Sequence, residues 1–527
     1  MKKLIYSLLI LCALVSCDDR LDIQPKGEST LESASDLEML FNQNYDLGMP
    51  YTDLGIVCNE SLGMGSNIPV ELTQTNTNEF AWLTYNEQVD RASLTLEDER
   101  YTNAYKYINY MNTIIEKMPD ASGEDSVKTS LIAEAHVMRA YLHWLLVNIY
   151  ARQYDEATAE SDGGIAYVTD LDVTKQKEKL TVAEVYNRIL EDCSDQYISQ
   201  LPEYNSDVLR GDQAWGNAVR AKVLMQMKRY SDALPYALRA LEINGNIEDR
   251  STIVEAGDWI LTRQCPDNYI YFGTMVAPFM EVISPETVAL FEPGDYVKDY
   301  AYLFGRKTDG SDEDSDGEDS EEEDAKSASF DAVKLAQGSS GSERAEKADA
   351  SDDSVSTEDG YVPVNADSPA WSTLYGYLMS GIPGSAMYYA MSSYVNAYGI
   401  TSDRMYYTAA ECYIRTGQIA KGLDLVNQVR EKRVDAAHYE PLQADDEKSA
   451  MTMLQKCKWI ESICTYENFF DCKRWNTESD YRKTITRTLY DSDGNALSYS
   501  IAPDSPLWIF PFPQNVTTKN PSLTQNY

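Results

Sequence analysis

The chain has 527 residues, with 85 Asp plus Glu against 45 Lys plus Arg, a formal net charge of -40 and a pI near 4.4. An apolar fraction of 43% supports a sizeable core and excludes wholesale disorder, and the acid excess argues against nucleic acid as a partner, because phosphates would be repelled. Three His leave little room for imidazole-rich metal sites or a His-based catalytic dyad, whereas 38 Tyr, 8 Trp and 11 Phe suit a surface that binds polar, neutral ligands.

Lys2 and Lys3 precede a short apolar run, Leu4 to Val15, which is too short to span a bilayer and reads as a signal-peptide core. It ends in Leu14-Val15-Ser16-Cys17, the pattern of a bacterial lipoprotein cleavage site, with small residues at the cut and a thiol to take the diacylglycerol. The expectation is a signal peptide over 1–16, lipidation at Cys17 and a mature body over 17–527. Acyl chains, at ~0.8 kcal/mol per buried CH₂, would hold that body on a membrane. Beyond Cys17 lie Cys58, Cys193, Cys265, Cys412, Cys457, Cys464 and Cys472. An odd set without Cys-x-x-Cys fits neither a zinc site nor a disulfide framework, so buried apolar thiols are expected, with one disulfide left open. Cys457 and Cys464 are expected on one helical face, two turns apart.

Asn67 to Asn86 reads as a loop with Phe80, Trp82 and Tyr85 set among Asn and Thr. Helical windows follow over 94–118 and 131–150. In the second, Leu131, Ala135, Met138, Leu142, Leu145 and Ile149 step by three and four residues along one stripe, and His136, Arg139 and His143 fall on another face. His136 and His143 are read as polar surface histidines, a shared metal being the weaker alternative. Thr181 with Glu184 predicts a capping box at the start of a helix over 181–200.

Two further windows resemble copies of each other. Ala221, Leu224, Ala233 and Ala240 recur as Ala410, Tyr413, Gly422 and Val429 at the same offsets, with Gly417 supplying a turn. Small residues at the eighth and twentieth places of a 34-residue unit let two antiparallel helices approach closely, which predicts tetratricopeptide (TPR)-like hairpins. TPR-like helices are therefore expected over about 94–245 and 402–475, including windows at 402–415, 419–433 and 449–466. The stretch 246–400 is loop-rich, with a short strand at Tyr269-Ile270-Tyr271-Phe272. Inside it, 308–360 carries 19 acids and four bases with one aromatic residue, Phe330, and is expected to be a disordered, solvated acidic insertion. The Asp-x-Asp repeats from Asp312 to Asp324 make weak cation binding the alternative, and the lack of an EF-hand register makes it the weaker one.

The residues also resemble those of a known family. Cys17-Asp18-Asp19-Arg20-Leu21-Asp22, Ala133-Glu134-Ala135 with Arg139-Ala140-Tyr141, Phe469-Phe470-Asp471-Cys472-Lys473-Arg474-Trp475, Leu507-Trp508-Ile509-Phe510-Pro511-Phe512-Pro513 and the closing Asn520-Pro521 with Gln525-Asn526-Tyr527 follow the order of motifs in the SusD/RagB family of surface nutrient-binding lipoproteins. The chain departs from the family at Cys457-Lys458-Trp459, at Tyr466-Glu467-Asn468 and in lacking a Gly before the final Tyr.

The resemblance implies a mostly α-helical SusD-like fold, a lipid anchor in the outer membrane, and a glycan or peptide ligand passed to a SusC-like TonB-dependent transporter. It implies no enzyme and no cofactor, and the residues agree in lacking Gly-x-Ser-x-Gly, His-Glu-x-x-His and a Gly-rich phosphate loop. A TPR-type scaffold or adhesin that binds peptide or protein is the competing reading. Asp471, Lys473 and Arg474 are read as structural ion-pair partners, and Trp475 and Trp508 as core. The resemblance points to an early loop and a mid-chain region for ligand. Within them Asn67, Trp82, Tyr85, Tyr269 and Tyr271 are chosen on physical grounds: aromatic faces stack on pyranose C–H faces, and amides bond hydroxyls. Core packing of Trp82 is the competing reading.

Overall fold

The computed structural model describes residues 31–41, 52–63, 68–172, 174–252, 266–273, 275–276, 279–300, 380–390 and 394–527. Cys17, Asn67, Cys265 and the acidic segment 308–360 lie outside them.

The N-terminal part consists of short helices: α1 (Ala34–Glu38), α2 (Thr52–Cys58), α3 (Ile68–Glu71) and α4 (Asn78–Leu83). The last two occupy much of the stretch expected as a loop. Local capping explains α4, because the Thr77 side chain accepts the Phe80 N–H and frees the first turn from dependence on water.

The long helices α5 (Glu99–Lys117) and α6 (Asp125–Tyr150) pack together. The expected apolar stripe of α6 is present, but every residue from Val137 to Tyr150 is buried, so this helix is surrounded. Its polar residues are therefore neutralised inside. Arg139 donates to Asp192 at 2.6 and 2.7 Å and to Asn112 at 2.8 Å. His143 is not a surface residue: its Nδ1 donates to the Arg139 carbonyl at 2.8 Å, its Nε2 accepts the Val168 N–H at 3.1 Å, and its ring stacks on Tyr167. Burial pushes its pKa down to about 3, so the imidazole is neutral.

A two-stranded ribbon, β1 (Gly163–Ala166) with β2 (Lys179–Thr181), leads into α7 (Val182–Asp192). The expected Thr181–Glu184 capping box is formed there. Then α8 (Gln213–Gln226) and α9 (Tyr230–Ile243) form the first repeat hairpin. The middle of the chain contributes β3 (Tyr269–Tyr271), β4 (Phe279–Ile283), β5 (Ala386–Ala390) and β6 (Ile400–Thr401), paired as β3 with β6 and β4 with β5. The second hairpin is α10 (Ser402–Arg415) and α11 (Ile419–Arg430), and it is followed by α12 (Glu447–Glu461), α13 (Glu467–Asn476) and the ribbon β7 (Ile485–Tyr490) with β8 (Ala496–Ile501).

The two hairpins turn in the same way. The Leu224 carbonyl accepts the Arg229 N–H at 2.9 Å, and the matching Tyr413 carbonyl accepts the Gln418 N–H at 2.8 Å. Gly417 adopts φ +79°, and the residue at its place in the first copy, Lys228, is left-handed too at φ +60°. The predicted small residues Ala233 and Gly422 are both buried between their helices. A Cβ on Gly422 would stand 2.5 Å from Ile414 Cγ1 and 2.7 Å from the Ala410 carbonyl oxygen. Backbone cannot yield cheaply, so Gly422→Ala is expected to cost about 1–3 kcal/mol in chemical denaturation; an unchanged midpoint would show that the helices have slack there.

The six described thiols are all buried. Cys464 does not share a helical face with Cys457, because α12 ends at Glu461 and Cys464 sits in the following turn at φ +61°.

Candidate functional site

Trp82 lies on α4, half-buried, with its ring tilted against Phe510 at 5.3 Å. Its indole N–H has no partner among the described residues. Tyr85, three residues on, leaves the helix in the left-handed region at φ +53°. That turn carries its ring inward, to 7% exposure, under the Arg487 guanidinium 4.6 Å from the ring centroid. Burial raises its hydroxyl pKa. Tyr85 is thus a core residue, and a ligand-platform role for it is not supported.

The mid-chain pair separates in the same way. Tyr269 pairs with Thr401 and Tyr271 with Ile400, so the register shifts between them. Residues two apart on a regular strand would share a face; the irregularity breaks that rule. Tyr271 is 6% exposed and packs against Trp215 at 5.2 Å, so it too belongs to the core. Tyr269 is half-buried and stacks on Phe272, with centroids 5.2 Å apart and planes 12° from parallel. The Phe272 N–H donates to the Val208 carbonyl at 2.9 Å, which docks the loop before α8 onto β3. That loop carries Tyr204, the most exposed large apolar side chain described, at 66%. Phe272 and Tyr204 lie outside the residues that the sequence singles out. The run Tyr269-Ile270-Tyr271-Phe272 contained the signal for the first, whereas nothing local marks Tyr204.

These surfaces are carried by a rigid frame. Helix α13, which carries the motif Phe469-Phe470-Asp471-Cys472-Lys473-Arg474-Trp475, buries Arg474 completely against Glu411, itself 0% exposed, at 2.5 and 2.9 Å, and against Asp471 at 2.8 Å. Lys458 reaches Asp471 at 2.6 Å, and the Trp475 indole donates to Glu411 at 2.9 Å. The partner charges hold Glu411 and Asp471 below the ordinary carboxylate range in spite of burial. Asp471 and Arg474 are thus structural ion-pair partners, and Trp475 and Trp508 are core. Lys473 differs from expectation: among the described residues it pairs with no carboxylate but caps the end of α6, donating to the Asn148 and Ala151 carbonyls at 2.5 and 2.8 Å. Burial lowers its pKa to about 7.

A cavity of about 20 Å³, lined in part by Trp144, Lys222, Lys458 and Glu467, adjoins this cluster. It has room for about one water molecule, so it is no saccharide site. His136 bonds Asp192 at 2.7 Å and stacks on Tyr197, and among the described residues no group of three His, Cys, Asp or Glu could hold a metal ion. What the described surface offers near these positions is partly exposed aromatic area at Trp82, Tyr269 and Phe272.

The chain matches two family models: one described as "Starch-binding associating with outer membrane", over residues 29–211, and one described as the SusD family, over 295–527. Its fold is similar to that of a SusD-like protein from Bacteroides fragilis (15% identity, 95% of this chain and 98% of that one, TM-score 0.60). It is also similar to a SusD-like carbohydrate-binding protein from Bacteroides vulgatus (12% identity, 94% and 98% covered, TM-score 0.58). A third is a surface glycan-binding protein A from Bacteroides uniformis (13% identity, 94% and 99% covered, TM-score 0.58). No curated protein matches the chain. A mostly α-helical SusD-like fold is the class these observations define. The chain belongs to the SusD/RagB family.

Proposed function

We propose that this protein is a cell-surface glycan-binding lipoprotein that passes an oligosaccharide to a SusC-like TonB-dependent transporter. The observation that carries the reading is the pair of family matches at both ends of the chain, one of them described as starch-binding and outer-membrane-associated. Membership alone does not name the ligand. The half-buried Tyr269–Phe272 stack supports a saccharide, because flat aromatic faces cover sugar C–H surfaces. On this reading ligand meets Tyr269 with Phe272 in one area and Trp82, with Asn67 upstream, in another. The chain acts by binding and not by catalysis. The repeat hairpins present the docking surface for protein, and residues 17–527 form one SusD-like unit.

The anchor is Cys17, following removal of 1–16. No helix among the described residues is long and apolar enough to cross a membrane. Cys17→Ala is expected to abolish incorporation of a palmitate analogue and to leave the protein unprocessed or released; label retained by the variant would end the anchor assignment. A glycan array on the protein lacking its first seventeen residues tests the ligand class. Binding to a defined set of glycans is expected. Binding to peptides with none to glycans would favour the scaffold or adhesin alternative.

A further inference from the structure

Glu60 and Glu281 are both 1% exposed. Glu60 follows α2, and its carboxylate accepts the Cys464 N–H at 2.8 Å and the Asn468 amide at 2.6 Å, both from the α12–α13 junction. Glu281 lies on β4 and has the Thr52 hydroxyl at 3.3 Å. Among the described residues, neither forms an ion pair with Lys or Arg. The candidate cations are committed elsewhere: Arg100 to Asp53 and Asp98, and Arg487 to the Asn59 side chain and backbone carbonyls.

The other titratable groups around the pair add negative charge or none. Burial pushes Glu281 upward first, Glu60 and Asp53 on α2 add to it, and the Thr52 hydroxyl opposes them. Cys58 and Cys472 are buried thiols pushed far up and therefore neutral. Glu286 bonds Asn59 at 3.2 Å. Two carboxyls buried together without a cation cannot both ionise cheaply.

The pair also spans a seam. The Leu62 N–H donates to Val282, the Val282 N–H to Gly63 and the Ser284 N–H to Glu60, so β4 is zipped to the chain that follows α2. On its other edge β4 pairs with β5.

We infer that Glu60 and Glu281 form a proton-held clasp that fixes the β4–β5 ribbon to the helical body and loosens as the pH rises past neutrality. Burial lifts Glu60 to about 7 and Glu281 to about 8. Both lie above the unfolded values, so their contribution is complete at acid pH and is lost as the pH climbs through that range.

Infrared difference spectroscopy between pH 6 and pH 9 reads the protons directly. The carbonyl stretch of a protonated carboxylic acid should be present at pH 6 and lost by pH 9, and Glu281→Gln and Glu60→Gln should each diminish it. Hydrogen-exchange mass spectrometry over 279–284 reads the clasp. Corrected for intrinsic rate, wild-type exchange should accelerate at least tenfold from pH 6 to pH 9, and Glu281→Gln, neutral and of the same shape, should remove most of that acceleration. A band unaffected by either substitution, or equal acceleration in wild type and Glu281→Gln, would overturn the inference.

Discussion

Replacing Arg474 by Met is expected to lower the unfolding free energy by about 3–5 kcal/mol, the typical cost of removing one partner from a buried ion pair. Glu411 has no solvent contact, and Arg474 supplies two of its bonds. Without Arg474, among the described residues the Trp475 indole at 2.9 Å and Lys458 at 3.9 Å would remain to face that carboxylate. Asp471 would keep Lys458 and lose its second cation. The shift in urea midpoint measures the effect. A loss below about 1 kcal/mol would mean that Glu411 takes up a proton at little cost and that the α13 motif is not the structural anchor described above. Replacing Glu411 by Gln together with Arg474 by Met should cost less than the single change at Arg474, because no uncompensated charge is left beside the methionine.

The second large effect is expected at Arg487. Its guanidinium is buried within β7, 1% exposed, and donates to the Leu83 carbonyl at 3.0 Å, the Trp82 carbonyl at 3.1 Å, Asn59 Oδ1 at 2.8 Å and the Ile56 carbonyl. These acceptors belong to the last turns of α2 and α4 and to the turn after α2, so one side chain caps both helices that frame Trp82. Arg487→Ala would take their guanidinium donor from Asn59 Oδ1 and from the Trp82 and Leu83 carbonyls, while the Ile56 carbonyl would keep the Asn59 N–H at 3.2 Å. At ~1 kcal/mol or more for each of the three, the loss is about 3 kcal/mol. Lysine should not rescue it, because an ammonium cannot reproduce a planar fork that reaches several carbonyls. Denaturation of both variants tests this; full stability of Arg487→Lys would show that charge alone suffices.

The sequence made some of this visible and hid the rest for identifiable reasons. The stripe from Leu131 to Ile149, the Thr181–Glu184 box and the matched small residues of the two hairpins are local patterns, and local patterns survive tertiary context. The inward Arg487 was also readable in principle. In Ile485-Thr486-Arg487-Thr488-Leu489, alternation places Arg487 on the same face as two apolar residues. Charged residues are almost never buried unless paired, and that base rate outweighs the alternation at this position.

Tyr85 and Tyr271 were misplaced for a different reason. A left-handed backbone at one and a strand irregularity at the other redirect the ring, and neither leaves a mark in composition. His143 was misjudged because α6 is surrounded on all sides, which the stripe alone did not reveal.

The central claim is that this chain binds a glycan on aromatic surface outside its helical frame. Calorimetric titration of a glycan selected on the array tests it most directly, with wild type, Tyr269→Ala and Trp82→Ala compared beside their thermal melts. Saturable binding by wild type is expected, weakened by roughly 1–3 kcal/mol in Tyr269→Ala with little change in melting, by loose analogy with aromatic stacking on nucleic-acid bases. Trp82→Ala should weaken binding similarly if its ring is a platform, or cost about 3–5 kcal/mol of stability if packing on Phe510 is its main role. No heat of binding with any glycan, or normal affinity with unaltered melting in both variants, would contradict the account.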